Sequence, residues 1–218
     1  MKIHKKSHRL LLTLPVAAAM MLFSGCGDSP EQAVEELISQ GVISSALDVK
    51  SETGTKAMHD AVMQNDTAIL KLLLDAGADA NTKGSTGATI LMLACAKGHD
   101  SCVELLLDAG ANANLKIYGD TKLDGTTALM LASYVGHAAC VKLLLDAGAD
   151  ANVKEDNNGT TALMMASVEG HDACVKLLLA AGADANVKNN DGETALKAAR
   201  RKGHEACVKL LEAAGARE

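Results

Sequence analysis

The chain has 218 residues, with 21 Lys and Arg against 27 Asp and Glu, a net charge of −6 with the histidines neutral, and 1% aromatic residues. The negative balance disfavours nucleic acid and anionic lipid surfaces as electrostatic partners. One Phe, two Tyr and no Trp exclude a core built on large rings, so Leu, Ala, Val and Met must fill the interior, which favours thin repeated layers.

The first element concerns export. "MKIHKKSHR" is a basic head carrying Lys2, Lys5, Lys6 and Arg9, and "LLLTLPVAAAMMLF" is an apolar run of fourteen residues. At roughly 1.5 Å per residue that run falls short of a hydrocarbon core of about 30 Å. It reads as a signal peptide and not as a membrane span. The following "FSGC" resembles the lipobox of bacterial lipoproteins, with Phe23 standing where that family usually has leucine. The resemblance implies cleavage between Gly25 and Cys26, lipidation of Cys26 and anchoring to a membrane, since two or more acyl chains hold a protein stably. The alternative is an ordinary secretory signal that ends near a cysteine. Gly27 is not the aspartate that retains enteric-type lipoproteins at the inner membrane, which favours the periplasmic face of the outer membrane. Loss of the four basic residues of the head leaves 17 cations against 27 anions, a net charge of −10.

Next, "SPEQAVEELISQGV" predicts a capping helix, with Ser29 as its cap, Pro30 in the first turn and Glu31 at the positive end of the dipole. From its glycine onward a unit recurs: Gly41, Gly77, Gly110, Gly148, Gly182 and Gly215 lie 36, 33, 38, 34 and 33 residues apart. Within the unit "TTALMLASYVG", Ala128, Leu129, Leu131 and Ala132 have helical spacing behind the capping threonines Thr126 and Thr127. Gly136 ends that helix. A second helix carries Cys140, Val141, Leu143, Leu144 and Leu145 on a wide apolar face and ends at Gly148. One such hairpin cannot bury its own face and must stack on neighbours.

"DGTTALMLASYVGHAACVKLLLDAGADAN", from Asp124 to Asn152, resembles the ankyrin repeat. That resemblance implies an all-α solenoid of helix-turn-helix units with hairpin-like fingers, about five repeats behind the N-terminal capping helix. The domain organisation expected is 1–25 removed signal, 26–52 lipidated N-terminus and capping helix, and 53–218 repeat domain. The chain departs from the family's Thr-Pro-Leu-His start, having "TILM", "TALM", "TALM" and "TALK", so Met92, Met130 and Met164 should fill the vacated space. His59 alone keeps the family's histidine. In the last repeat Arg200 and Glu212 replace small or aliphatic residues, as expected of an outward-facing cap.

A His-x-x-Cys pair is written four times, at His99 and Cys102, His137 and Cys140, His171 and Cys174, His204 and Cys207. Ile69 stands at the cysteine's place in the first repeat, which favours a small buried hydrophobe over chemistry. The histidines resemble the family's Gly-His turn residue, which implies structural hydrogen bonds. Two alternatives stay open: a disulfide between Cys95 and Cys102 across the Gly98 turn, and a Cys/His metal or redox site.

The loop "LKIYGDTKL" is five residues longer than its counterpart "TKGS" and predicts a long finger. It should present Ile117 and Tyr118 beside Tyr134 and Val135 at the end of the following helix, with Lys97, Lys116, Lys122 and Glu169 as a charged rim. Tyrosines in such a patch make good binding anchors. Nucleophile elbows, phosphate loops and metal spacings do not occur outside the repeat pattern, so no enzyme, cofactor, small-molecule substrate or nucleic acid is expected. The expected activity is binding another protein in the bacterial cell envelope, as an immunity-type protein or an accessory factor for an envelope enzyme. A structural spacer without a specific ligand is the alternative.

Overall fold

The computed structural model describes residues 30–45, 49–119 and 122–217; the signal segment, Cys26 and Ser29 lie outside the described residues. Among these residues eleven helices alternate between two rows. The first row holds α2 (Glu52–Met63), α4 (Ile90–Lys97), α6 (Ala128–Val135), α8 (Ala162–Glu169) and α10 (Ala195–Lys202). The second holds α1 (Pro30–Ser39), α3 (Thr67–Asp75), α5 (Asp100–Asp108), α7 (Ala138–Asp146), α9 (Asp172–Ala180) and α11 (Glu205–Ala213). From α3 to α9 each helix packs against its predecessor and successor in the row and against the partner of its own repeat. That makes five helix pairs with α1 in front, and α1 packs on α3 as the second helix of a shortened leading repeat.

Local chemistry fixes where these short helices start. Thr89, Thr127, Thr161 and Thr194 have extended backbone, and each hydroxyl accepts a hydrogen bond from the amide three residues on. Such caps are worth about 1 kcal/mol each, and they replace what the missing proline and histidine would have set. Met92, Met130 and Met164 are buried behind them, and the Met92 sulfur accepts from the Thr89 amide at 3.3 Å.

The stack buries one leucine per layer in register. Leu37, Leu73, Leu106, Leu144, Leu178 and Leu211 each lie four residues before the repeat glycine, and all have 0% exposure. Each contributes about 1.5–3 kcal/mol by leaving water. Leu37 in this register marks α1 as a true second-row helix.

Polar side chains rivet the turns together. Asn81, Asn114, Asn152 and Asn186 each accept, through Oδ1, from a backbone amide of the next repeat, at 2.7–2.8 Å from Asn112, Asp150, Asp184 and Arg217. Asn114 and Asn152 also donate to the carbonyls of Gly148 and Gly182 at 3.1 Å. The recurrent asparagine is therefore a link between layers.

Among the described residues two buried side-chain atoms lack such partners: Ser133 Oγ and Ser167 Oγ are buried without a hydrogen bond. An unsatisfied buried hydroxyl costs about 1–3 kcal/mol. Ser133→Ala and Ser167→Ala are therefore expected to raise stability by about 1 kcal/mol each, which chemical denaturation followed by circular dichroism would measure.

Candidate functional site

The His-x-x-Cys pairs resolve into two separate structural roles. Cys102, Cys140, Cys174 and Cys207 lie on α5, α7, α9 and α11, each 0–1% exposed and strung along the second row. Burial, with Asp172, Cys140 and Cys207 nearby, pushes the Cys174 thiol up to about 11, so it stays protonated and unreactive near neutral pH. Burial likewise raises Cys102 and Cys207. The sulfur beside Cys95 is Cys140, not Cys102, and their mutual hydrogen bond raises Cys95 and lowers Cys140. The Cys95 to Cys102 bridge is thereby corrected: both are free thiols, and Cys102 donates to Asn65 Oδ1 at 3.3 Å. Among the described residues no three of His, Cys, Asp and Glu converge as metal ligands.

The histidines face the preceding layer. His171 Nε2 lies 3.0 Å from the Tyr134 carbonyl and His204 Nε2 lies 3.1 Å from that of Val168. Each ring sits over the glycine that ends the preceding first-row helix, so a Cβ on Gly98, Gly136 or Gly170 would come within 2.5 Å of it.

The long finger differs from its expected form. Ile117 donates its amide to the Thr126 carbonyl and accepts from the Gly125 amide, closing a short hairpin. Its side chain turns inward and is 2% exposed. Ile117 is therefore core and not partner surface, because the hairpin pairing directs that position onto the stack. Lys116 is also engaged: Nζ reaches Asp156 Oδ1 at 2.8 Å and the Lys154 carbonyl at 3.1 Å. It ties its finger to the next. Lys154 repeats the link to the Lys188 carbonyl at 3.0 Å, and backbone bonds from Asp156 to Asp124 and from Asn190 to Asn158 complete a ladder along the fingers.

Glu155 anchors this ladder. Its buried carboxylate accepts from the amides of Asn157, Asn158 and Thr160 at 2.6, 2.6 and 3.2 Å. Burial alone would raise this carboxyl, but the hydrogen bonds outweigh it and hold it below the ordinary carboxylate value. A depressed folded pKa contributes stability that is present above the unfolded pKa and is lost as pH falls through the folded one. The expected result is that Glu155→Gln loses stability at neutral pH and shows a shallower decline on acidification than the parent. Melting curves taken from neutral pH to below the carboxylate range would check both.

Tyr118 and Tyr134 are each more than half exposed, but they meet different neighbours. Tyr118 leans towards the preceding finger, where Lys83 Nζ stands 6.0 Å from its ring centre. Tyr134 belongs to a groove of about 260 Å³ on the first-row side. Met165 and Val168 of α8 and Ala198 of α10 supply its apolar surface, and Asn158, Thr160, Asn189 and Glu193 form the finger wall. That wall is held in place: Glu193 pairs with Arg201 at 2.9 Å, Asn158 donates to Asp191 at 2.9 Å, and Asn189 accepts from the Glu193 amide at 2.8 Å. Lys97, Val135 and Glu169 are the exposed last residues of α4, α6 and α8, and Lys122 is exposed on the finger. The candidate site is thus the groove headed by Tyr134, with Leu123 and Tyr118 as further exposed apolar surface on the finger.

A family model described as ankyrin repeats (3 copies) matches residues 19–117, 78–155, 116–189 and 154–217. The chain belongs to the ankyrin-repeat family. Its ankyrin repeats make it a protein-interaction module, of a kind that is typically non-enzymatic. Comparison with curated proteins gives no match. In ankyrin terms, the sequence missed Met165 and Val168 because "ALMMASVE" reads as continuous core. The signal that finds them is their place at the end of a first-row helix, where Tyr134 stands in the layer before.

Proposed function

We propose that this ankyrin-repeat chain is a lipid-anchored binding module of the bacterial cell envelope, held at the outer membrane through Cys26 and facing the periplasm. The groove between Tyr134 and Ala198 carries this reading, because it joins an apolar floor to a wall of amide, hydroxyl and carboxylate groups already fixed by their own hydrogen bonds. Preorganised polar groups around an apolar centre bind with little ordering cost. The partner class is a folded envelope protein, either an effector enzyme that the module masks, as an immunity-type protein would, or an envelope enzyme that it assists. Cys26 and the signal segment support the location by their sequence, and no described helix is long and apolar enough to cross a membrane.

A photo-crosslinking residue at position 134 is expected to trap one stoichiometric protein in living cells, while the same residue at exposed position 206 on α11 traps none. Tyr134→Ala with Met165→Ala should then weaken binding of that purified protein by about a hundredfold, a loss of about 2–3 kcal/mol, with unchanged circular dichroism. Equal trapping at both positions would remove the groove as the site. Labelled palmitate should enter the chain and be lost on Cys26→Ser; incorporation that survives the substitution would remove the anchor.

A further inference from the structure

One contact recurs at the junctions between layers. The histidine before a second-row helix sits over the glycine that ends the first-row helix of the preceding layer, so that a Cβ on Gly98 would come 2.5 Å from His137 Cε1, with His171 over Gly136 and His204 over Gly170 in the same way. Three residues back from these glycines stand Cys95, Ser133 and Ser167, and three residues forward from these histidines stand Cys140, Cys174 and Cys207. All six are 0–1% exposed. At the first junction Val62 takes the place of Cys95, three residues before Asn65, whose side chain accepts from Cys102. Among the described residues only the junction of Gly98 with His137 therefore matches sulfur with sulfur, one helical turn inward of the contact. There the Cys95 thiol donates to the Cys140 sulfur.

We propose that Cys95 and Cys140 are a redox pair, which hydrogen peroxide oxidises to a disulfide that clamps the α4–α5 layer to the α6–α7 layer. The remaining cysteines are not competitors. Cys102, Cys140, Cys174 and Cys207 follow one another along the second row at the helix-packing distance of about 8–10 Å, beyond the roughly 7 Å between Cα atoms that a bridge spans. Cys140 is the attacking sulfur. It lies in the first turn of α7, at the positive end of the helix dipole, and the hydrogen bond from Cys95 holds its thiol below the ordinary value although burial opposes this. Its thiolate attacks one peroxide oxygen, the O–O bond breaks, and the leaving hydroxide takes up the proton that Cys140 released, giving a sulfenic acid and water. The Cys95 sulfur then attacks the Cys140 sulfur. The S–S bond forms, the S–O bond breaks, and the hydroxyl leaves as a second water with the Cys95 proton. Two electrons pass from the two sulfurs to one peroxide. Peroxide is small enough to enter on local opening of the turn at Gly98. The closed loop constrains the unfolded chain and so strengthens the junction. This clamp depends neither on the lipid anchor nor on the groove at Tyr134.

The full-length chain, reduced and then treated with hydrogen peroxide, is alkylated in denaturant and mapped by mass spectrometry after trypsin. Lys97 and Lys122 place Cys95, Cys102 and Cys140 in three separate peptides. The expected product joins the Cys95 and Cys140 peptides, reverts with dithiothreitol, and leaves Cys102, Cys174 and Cys207 alkylated. Its guanidinium midpoint should rise by about 0.5 M or more over the reduced chain. Cys95→Ser supplies the residue that later layers carry at this place, as Ser133 and Ser167, and should keep the parent circular dichroism. Peroxide should then leave the midpoint of this variant unchanged and yield a dimedone adduct at Cys140, which the parent resolves into the disulfide. Cys95 and Cys140 both recovered as alkylated thiols from the treated parent would overturn the proposal. So would a bridge from Cys140 to any other cysteine, or a dimedone adduct of Cys95→Ser at Cys174 or Cys207 in place of Cys140.

Discussion

Gly136→Ala is expected to destabilise the solenoid by about 3 kcal/mol, whereas Gly203→Ala should cost only about 1 kcal/mol. Both glycines end a first-row helix in the left-handed region, at φ 88° and 79°, so a side chain at either position incurs the same backbone strain. They differ in what lies above. A Cβ on Gly136 would come 2.5 Å from His171 Nδ1 and 2.6 Å from Cε1, while among the described residues nothing approaches within 4 Å of one on Gly203. The ring cannot simply swing away, because its Nε2 is committed to the Tyr134 carbonyl. Gly136→Ala combined with His171→Ala should therefore cost less than the sum of the two single changes, since the clash disappears once the ring is gone. Thermal unfolding should read a fall of roughly 10 °C for Gly136→Ala in a chain of this size. Equal losses at Gly136 and Gly203 would refute the role given to the histidine.

Leu144→Ala is expected to cost about 2–5 kcal/mol and to split unfolding into two transitions. Leu144 is fully buried at the centre of the second row, where α7 packs on α5, α9 and α6. In a solenoid each layer holds only its neighbours, so a cavity in the middle weakens the coupling between the two halves as well as the layer itself. Leu211→Ala deletes an equally buried side chain from α11, which among the described residues has a row neighbour on one side alone. It should leave a single transition with earlier loss of the C-terminal repeat. Guanidinium titration with hydrogen exchange resolved by repeat would separate the two patterns. One sharp transition for Leu144→Ala would show that coupling reaches further than nearest neighbours.

Much of this architecture was legible from periodicity. The spacing of Gly41 to Gly215 gave the layers, and the buried faces around Leu129 and Leu144 lie where helical spacing put them. That the cysteine position packs inside the stack was readable from Ile69, which stands at the same place in the first repeat. The candidate site was less legible. Tyr134 was found as an exposed aromatic, but its companions Met165, Val168 and Glu193 are 31 to 59 residues away in the chain and look like ordinary repeat residues. Ile117 was misplaced for a related reason: alternation along a hairpin cannot be phased until the hydrogen-bond partners Thr126 and Gly125 are known. Cys95 met Cys140 and not Cys102 because the nearer sulfur belongs to the next layer.

The sequence alone determined the length of the layer, the two helices in it, their caps and the residues that turn inward, because these depend on contacts within about thirty residues and repeat in the composition. Only the tertiary structure decided which exposed residues share a groove and which glycines carry a histidine above them. Those outcomes follow from the direction in which layers stack. That direction is set by the sum of many small contacts between repeats and leaves no periodic mark in the chain.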